Sequence, residues 1–327
     1  MASLSSTTIV LGQSERDYIV AGCRQDCRLD GRTCHEVRPY VLVEAAEDPL
    51  ILSHGSARLQ SANACHDGGS TELLCSVKAE LVQPALNQPE QGDVEIHVDT
   101  LAAGISRRLC DDLEATLTHL LGDSVVDTRA LCVLPHVYAW RLQIDVYVVS
   151  HAGSLLDAAS RVVRAALRCT KLPTVDVLPT ASHESINQES ADVTSSTATS
   201  ASVVVDGDIH HASSLPGVDD GPVIVTVTVL QSLDAGNRPV TSLVLDATVA
   251  EESCAVAQVH VSVVQRHGDN PTITAIRKTG TGGLPVALLP EITKLAIKSA
   301  TNDDAFVRKT SSEPSSTWLL QGLYQLQ

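Results

Sequence analysis

Residues 138–168 read YAWRLQIDVYVVSHAGSLLDAASRVVRAALR. From Tyr138 to Val149 the chain alternates, with Trp140, Leu142, Ile144, Val146 and Val148 on one side. That is the two-residue period of a strand with one buried face. From Ser154 to Arg168 the period lengthens. Leu155, Ala159, Val162, Val163, Ala166 and Leu167 share one face of a helix, and Ser154 with Asp157 has the form of a capping box. A strand that turns directly into an amphipathic helix predicts helices packed on sheets, the α+β class.

The same reading extends in both directions. Ser14 to Asp26 reads as a short helix, with Ser14 and Asp17 as a second capping-box pattern. The Asp-Gly of Arg28-Leu29-Asp30-Gly31-Arg32 marks a turn. Strands are predicted over Arg38–Glu44, Leu50–Leu59, Thr71–Val82, Val94–Val98 and Arg129–Leu134, with a polar loop over Gln60–Ser70. Ser106 to Leu121 is a helix with Leu109, Leu113, Leu117, Leu120 and Leu121 on one stripe and Gly122 as its stop. Ala181 to Ser202 breaks the pattern, since ten of its 22 residues are Ser or Thr and little in it can be buried. Beyond it, strands are predicted over Val223–Leu230, Thr241–Leu245, Ala255–Val264 and Thr272–Lys278. A glycine-rich turn, Thr279–Gly283, and a helix from Pro290 to Ala300 follow. The chain therefore divides into an N-terminal helix and arm (1–32), a first half (33–180), a disordered Ser/Thr-rich insert (181–221), a second half (222–305) and a tail (306–327).

Composition excludes several functions. The chain has 327 residues and a formal net charge of −16, with aromatics at 2%. Affinity for a phosphate backbone comes from Lys and Arg, and single-strand modules stack bases on aromatic platforms, so a free-standing nucleic-acid binder is not expected. The nine cysteines form no C-x-x-C pair, which fits reduced thiols in cytosol or nucleus. Cys23, Cys27, Cys34 and His35, with Cys65 and His66, lack the paired spacing of a zinc site. The N-terminus has no basic flank or long apolar core, so no secretory signal is expected. The longest apolar candidate, Leu131–Val149, is broken by His136, Arg141 and Asp145, so no membrane span is expected either. Thr279–Gly283 lacks the Lys-Ser/Thr of a P-loop, and neither G-x-S-x-G nor H-E-x-x-H occurs.

Several motifs in order resemble the RNase PH family. They are Ser14–Gly22 before Arg28-Leu29-Asp30-Gly31-Arg32, Gly55-Ser56-Ala57-Arg58, Val77-Lys78-Ala79-Glu80, Asp157-Ala158-Ala159 to Pro173, Val244–Thr248 with Glu251-Glu252, and Ile276-Arg277-Lys278 to Gly283. Within the family the pattern is most similar to ring subunits of the RNA exosome. The resemblance implies the RNase PH fold, two β-rich α+β halves related by a pseudo-twofold. It also implies a ring of related subunits around a central RNA channel, carrying cap subunits with RNA-binding domains and a hydrolytic exoribonuclease. Nuclear, nucleolar and cytoplasmic location goes with that assembly. No cofactor, metal or membrane is implied. Ser61–Thr71 is roughly seven residues longer than the family's hairpin turn.

By the same resemblance, active members hold phosphate with an Arg-Ser pair and use two carboxylates six residues apart. The chemistry demands both: cations hold one anion beside another, and an acid protonates the leaving oxygen. The matching carboxylates are Asp246 and Glu252, and the pair matches Arg141-Leu142. Leu142 cannot hydrogen-bond phosphate, and Glu252 is one methylene longer than the Asp it replaces. Displacements of about 1 Å cost on the order of 100-fold in rate. Asp246, Glu252 and Arg141 are therefore read as vestigial, with both carboxylates solvated at a strand end and helix start. Arg107, Arg108, Arg277 and Lys278 are candidates for RNA contact, against the plainer role of solvated or ion-paired surface side chains. A non-catalytic ring subunit is the expected function. The alternatives are an active phosphorolytic exoribonuclease with a composite site at a subunit interface, and a free RNA-binding module.

Overall fold

The computed structural model describes residues 11–44, 53–61, 69–100, 105–122, 125–178, 202–233, 239–265 and 270–311. The first half is built on strands β1 (Tyr40–Glu44), β2 (Gly55–Ser61), β3 (Glu72–Val82), β4 (Asp93–Thr100), β5 (Cys132–Leu134) and β6 (Tyr138–Ser150). Their order is β1-β2-β3-β6-β4, with β5 paired to β6. All pairs are antiparallel except β4–β6. That parallel pair needs a long crossover, and α2 (Arg107–Leu121) supplies it.

The strand period works as read. Leu142, Ile144, Val146 and Val148 of β6 are fully buried against α2 and α3 (Leu155–Cys169). The α2 stripe Leu109, Leu113, Leu117, Leu120 and Leu121 closes the same core. Twelve of the 15 residues of α3 are buried, because it lies between two sheets and must be small or apolar nearly all round.

The second sheet has β11 (Val223–Leu233), β12 (Pro239–Leu245), β13 (Ala257–Val264) and β14 (Thr272–Thr279) in the order β12-β11-β13-β14, all antiparallel. One face carries Val225, Val227, Val229, Val259 and Val261 against Ile292 and Ala296 of α5 (Leu289–Ser311). The register puts Thr226 opposite His260 and Thr228 opposite Gln258 on the other face, which packs on α3. That face is polar yet buried. The short helix α4 (Val249–Cys254) joins β12 to β13. The layers therefore run sheet, α2 with α3, sheet, α5, and the polar seam between the halves lies in the middle.

Several local expectations are corrected. Helix α1 (Gln13–Arg24) starts at Gly12, whose N–H donates to Glu15 Oε2 at 2.7 Å, so Ser14 and Asp17 lie inside the helix. Residues 128–131 form a 3₁₀ turn before β5. Gln60 and Ser61 belong to β2, while the rest of the long loop, with Cys65 and His66, falls largely outside the described residues. Of the Ser/Thr-rich insert, residues 181–201 also lie outside them. Residues 202–221 hold structure where insert was expected. β9 (Ser202–Val205) pairs with β8 (Val175–Leu178), and β10 (Ser213–Ser214) pairs with β7 (Lys171–Leu172). Leu215 and Val218 are buried in the first core, and apolar side chains of this kind hold the segment down. Helix α5 continues past Ala300 into the expected tail.

Candidate functional site

At the end of β12 the chain leaves Leu245 and enters Asp246 with φ +46°, a left-handed turn rare for a residue with a side chain. The turn aims the Asp246 carboxylate inward, where the residue is 6% exposed. Arg38 donates to it from its backbone N–H (2.7 Å), from Nε (2.9 Å) and from Nη2 (2.6 Å), and Arg32 Nη1 donates at 2.9 Å. Burial alone would raise this carboxyl, but the two guanidiniums, Arg38 above all, hold it below the usual range. Two residues on, Thr248 and Glu251 form a capping box: Thr248 N–H donates to Glu251 Oε2 at 2.8 Å, and Glu251 N–H donates to Thr248 Oγ1. The box fixes Glu251 inward, where Arg28 grips it with Nε at 2.8 Å and Nη2 at 2.6 Å.

These guanidiniums have few donors to spare. Arg28 also donates to the carbonyls of Glu36, Leu245 and Asp246, and Arg32 to Asp30 and to the carbonyls of Glu36 and Asp246. Arg38 also donates to the carbonyls of Ala152 and Gly153. Gly153 has φ +110°, and a Cβ there would lie 2.2 Å from the Ala247 carbonyl. Only glycine lets the β6–α3 turn approach the β12–α4 turn this closely.

Glu252 accepts a hydrogen bond from Ser154 N–H at 2.8 Å. The expected capping box on α3 is absent, because tertiary contacts take both of its members. Ser154 adopts φ +50° without capping the helix, and the Asp157 carboxylate accepts from Thr226 N–H (3.0 Å) and Thr226 Oγ1. Thr226 Oγ1 lies 2.9 Å from His260 Nδ1, and His260 Nε2 lies 3.0 Å from Thr279 Oγ1. With Thr226 donating to Asp157, Nδ1 carries the imidazole proton and Nε2 accepts from Thr279. Burial pushes Asp157 up to about 6 and Glu252 up to about 7, the latter raised further by Asp157 and Asp246. Burial lowers His151 to about 4 and His260 to about 3, assisted by Arg38 and Arg277 respectively, so both rings are neutral at physiological pH. His151, Ser154, Thr226, Glu252, Gln258 and His260 line one small cavity at the seam, floored by Leu109 and Leu113. The Ser154 hydroxyl is buried there without a hydrogen-bond partner among the described residues.

Asp246 and Glu252 are thus not the solvated carboxylates expected. Arg141 is not beside them: it sits ten residues before His151 on β6, roughly 30 Å away by strand rise. There Arg141 faces Asp93 at 3.3 Å and Glu95 at 3.4 Å. Leu142 points the other way, into the core, where no ligand reaches it. Between β6 and α3 it is Ser154 that meets one of the pair, through its N–H to Glu252. Arg107 is exposed between Asp99 and Asp111 at 3.7 and 3.6 Å, and Arg108 is exposed beside it. Arg277 lies opposite His260 in the register, and Lys278 Nζ donates to the Gly280 carbonyl at 2.9 Å. Sequence reasoning missed Arg38, Glu251, Thr226 and His260. Thr248-x-x-Glu251 was a readable signal for Glu251, while the other three pair across more than 30 positions.

Residues 48–173 match the family described as the 3′ exoribonuclease family, domain 1. Exosome complex component Rrp42 of Sulfurisphaera tokodaii is 28% identical over 171 residues, covering 50% of this chain and 58% of that protein. Exosome complex component rrp43 of Schizosaccharomyces pombe is 26% identical over 168 residues, covering 48% and 57%. The chain thus spans under two thirds of the curated relatives it matches. The structure of the Archaeoglobus fulgidus exosome with RNA bound to the active site superposes with a TM-score of 0.65 at 21% identity, covering 91% of this chain and 98% of that one. An archaeal exosome core gives 0.60 at 20% identity, covering 89% and 95%. Residues 48–173 are thus similar to the first domain of that family, and the chain has the RNase PH fold.

Proposed function

We propose that this protein is a non-catalytic subunit of the RNA exosome ring, one wall of a channel through which RNA passes for 3′-to-5′ processing and decay, including ribosomal RNA maturation. The single observation that carries the non-catalytic part is the state of the arginines at the carboxylate pair. Arg28, Arg32 and Arg38 are committed to protein acceptors, and Asp246 is sealed between two of them. Holding phosphate beside an anionic RNA needs cations free to receive it. The ring assignment is supported by the similarity to exosome components and by both sheets ending in open strands, β1 and β4 on one, β12 and β14 on the other. Related subunits that pair with or cover those edges remove a liability. Cap subunits with RNA-binding domains and an attached hydrolytic exoribonuclease complete the assembly in this reading, in nucleus, nucleolus and cytoplasm. The net charge of −16 fits a protein that handles RNA only within such a complex.

One observation favours a second reading, an active phosphorolytic subunit whose cations come from a neighbour. Glu252 holds its proton to about pH 7, which suits a general acid. Purification of the native protein with subunit identification by mass spectrometry tests the ring assignment. Stoichiometric recovery with RNase PH-like partners is expected, and a monodisperse monomer indifferent to such partners would overturn it.

A further inference from the structure

Besides Asp246, which is held by Arg38, one further carboxyl group from each half crosses the seam. Asp157, on α3 of the first half, receives the N–H and hydroxyl of Thr226 in β11. Glu252, on α4 of the second half, receives the N–H of Ser154 at the head of α3. The two crossings run in opposite directions and engage the same turn of α3.

Charge at this seam does not balance. Five carboxyl side chains, Asp30, Asp157, Asp246, Glu251 and Glu252, meet four guanidiniums, Arg28, Arg32, Arg38 and Arg161. Arg28 holds Glu251, Arg32 holds Asp30 and Asp246, Arg38 holds Asp246, and Arg161 lies one turn along α3 from Asp157. Among the described residues, Glu252 is the carboxyl left without a cation of its own.

The groups around it do not supply one. His151 and His260 are neutral, Asp157 and Asp246 repel a second negative charge, and α2 presents Leu109 and Leu113. Arg38 faces Glu252 but is already spent on Asp246, and Arg277 lies on the far side of His260. A carboxyl in such a place takes up a proton rather than carry an unpaired charge.

We propose that the seam at the Glu252–Ser154 contact is a proton-operated latch between the two halves, closed while Glu252 is protonated. It opens when Glu252 releases the proton and its charge draws in water, a gain in hydration that outweighs the stronger hydrogen bond Ser154 N–H gives a carboxylate. The raised affinity of Glu252 for its proton accords with this. The latch does not depend on whether the ring cleaves RNA.

Amide hydrogen exchange on the full chain reads the latch directly. Protection factors at Ser154 and Thr226, corrected for intrinsic exchange, are compared at pH 5 and pH 7.5. A carboxyl that titrates at 4.5 when open and about 7 when closed makes opening about 50-fold more frequent at the higher pH. Glu252→Gln keeps the acceptor and removes the charge, so its protection at pH 7.5 should exceed wild type by on the order of 100-fold or more. Equal pH dependence in both proteins would overturn the proposal. Should the variant fail to fold, carbon-13 titration of the wild-type Glu252 carboxyl decides: a midpoint near neutrality is expected, and one near 4.5 refutes the latch.

Discussion

Replacing Asp246 by Ala should cost this protein a large part of its stability. The carboxylate receives four hydrogen bonds, three from Arg38 and one from Arg32. Arg38 is 6% exposed and Arg32 7%, so neither can turn to water once the partner is gone. Removing one side of a buried ion pair costs about 3–5 kcal/mol, because the remaining charge stays desolvated and uncompensated. For a chain of this size each kcal/mol lowers the melting temperature by about 2–4 °C, so a fall of roughly 6–20 °C is expected. Circular dichroism melting at pH 7 in moderate salt measures it, with Asp246→Asn as a milder companion that keeps one acceptor oxygen. The pH dependence has a definite sign. Asp246 has a lowered proton affinity when folded, so its contribution is full above its unfolded value of 3.8 and is lost as pH falls through the folded value. A melting temperature within 2 °C of wild type would refute the ion-pair network as drawn. It would also restore Asp246→Ala as a clean probe of chemistry, which the present geometry denies.

Three further outcomes follow from the seam. Gly153→Ala should fold poorly or lose several kcal/mol, since the new Cβ would sit 2.2 Å from the Ala247 carbonyl at φ +110°; soluble yield and melting temperature report this. Thr226→Val should cost about 1–3 kcal/mol, because Asp157 loses a donor and His260 Nδ1 an acceptor inside the protein, and denaturant titration would register it. Asp157 binds its proton more tightly folded than unfolded, so its contribution should fade as pH rises from 3.8 to about 6. A pH series of wild type against Asp157→Asn should show a steeper slope in wild type, with the variant keeping only the part that Glu252 contributes.

The strands and long helices were legible because their patterns are local. Alternation in β6 and the leucine stripe of α2 report directly which face is buried. Where the reading failed, long-range contacts had overruled a local rule. Ser154 and Asp157 satisfy the capping-box spacing, yet Glu252 and Thr226 engage them from the other half. Arg141-Leu142 failed for a simpler reason. Adjacent residues on a strand point to opposite faces, so one such pair cannot close on a single ligand. Arg38 carried no local signal at all, since its role exists only once Asp246, more than 200 positions away, folds against it. The polar face of the second sheet, Thr226, Thr228, Gln258 and His260, carried no such signal, because its burial depends on α3 covering it.

The central claim is that this subunit contributes no phosphorolytic chemistry to a ring. The most direct measurement is release of nucleoside diphosphates from end-labelled RNA by the reconstituted ring, with and without inorganic phosphate. It compares wild type with Glu252→Gln and Ser154→Ala in this subunit. The account predicts the same rate for all three, and no phosphate-dependent release through this subunit. A phosphate-dependent release that falls at least tenfold in either variant, with ring assembly intact, would contradict it.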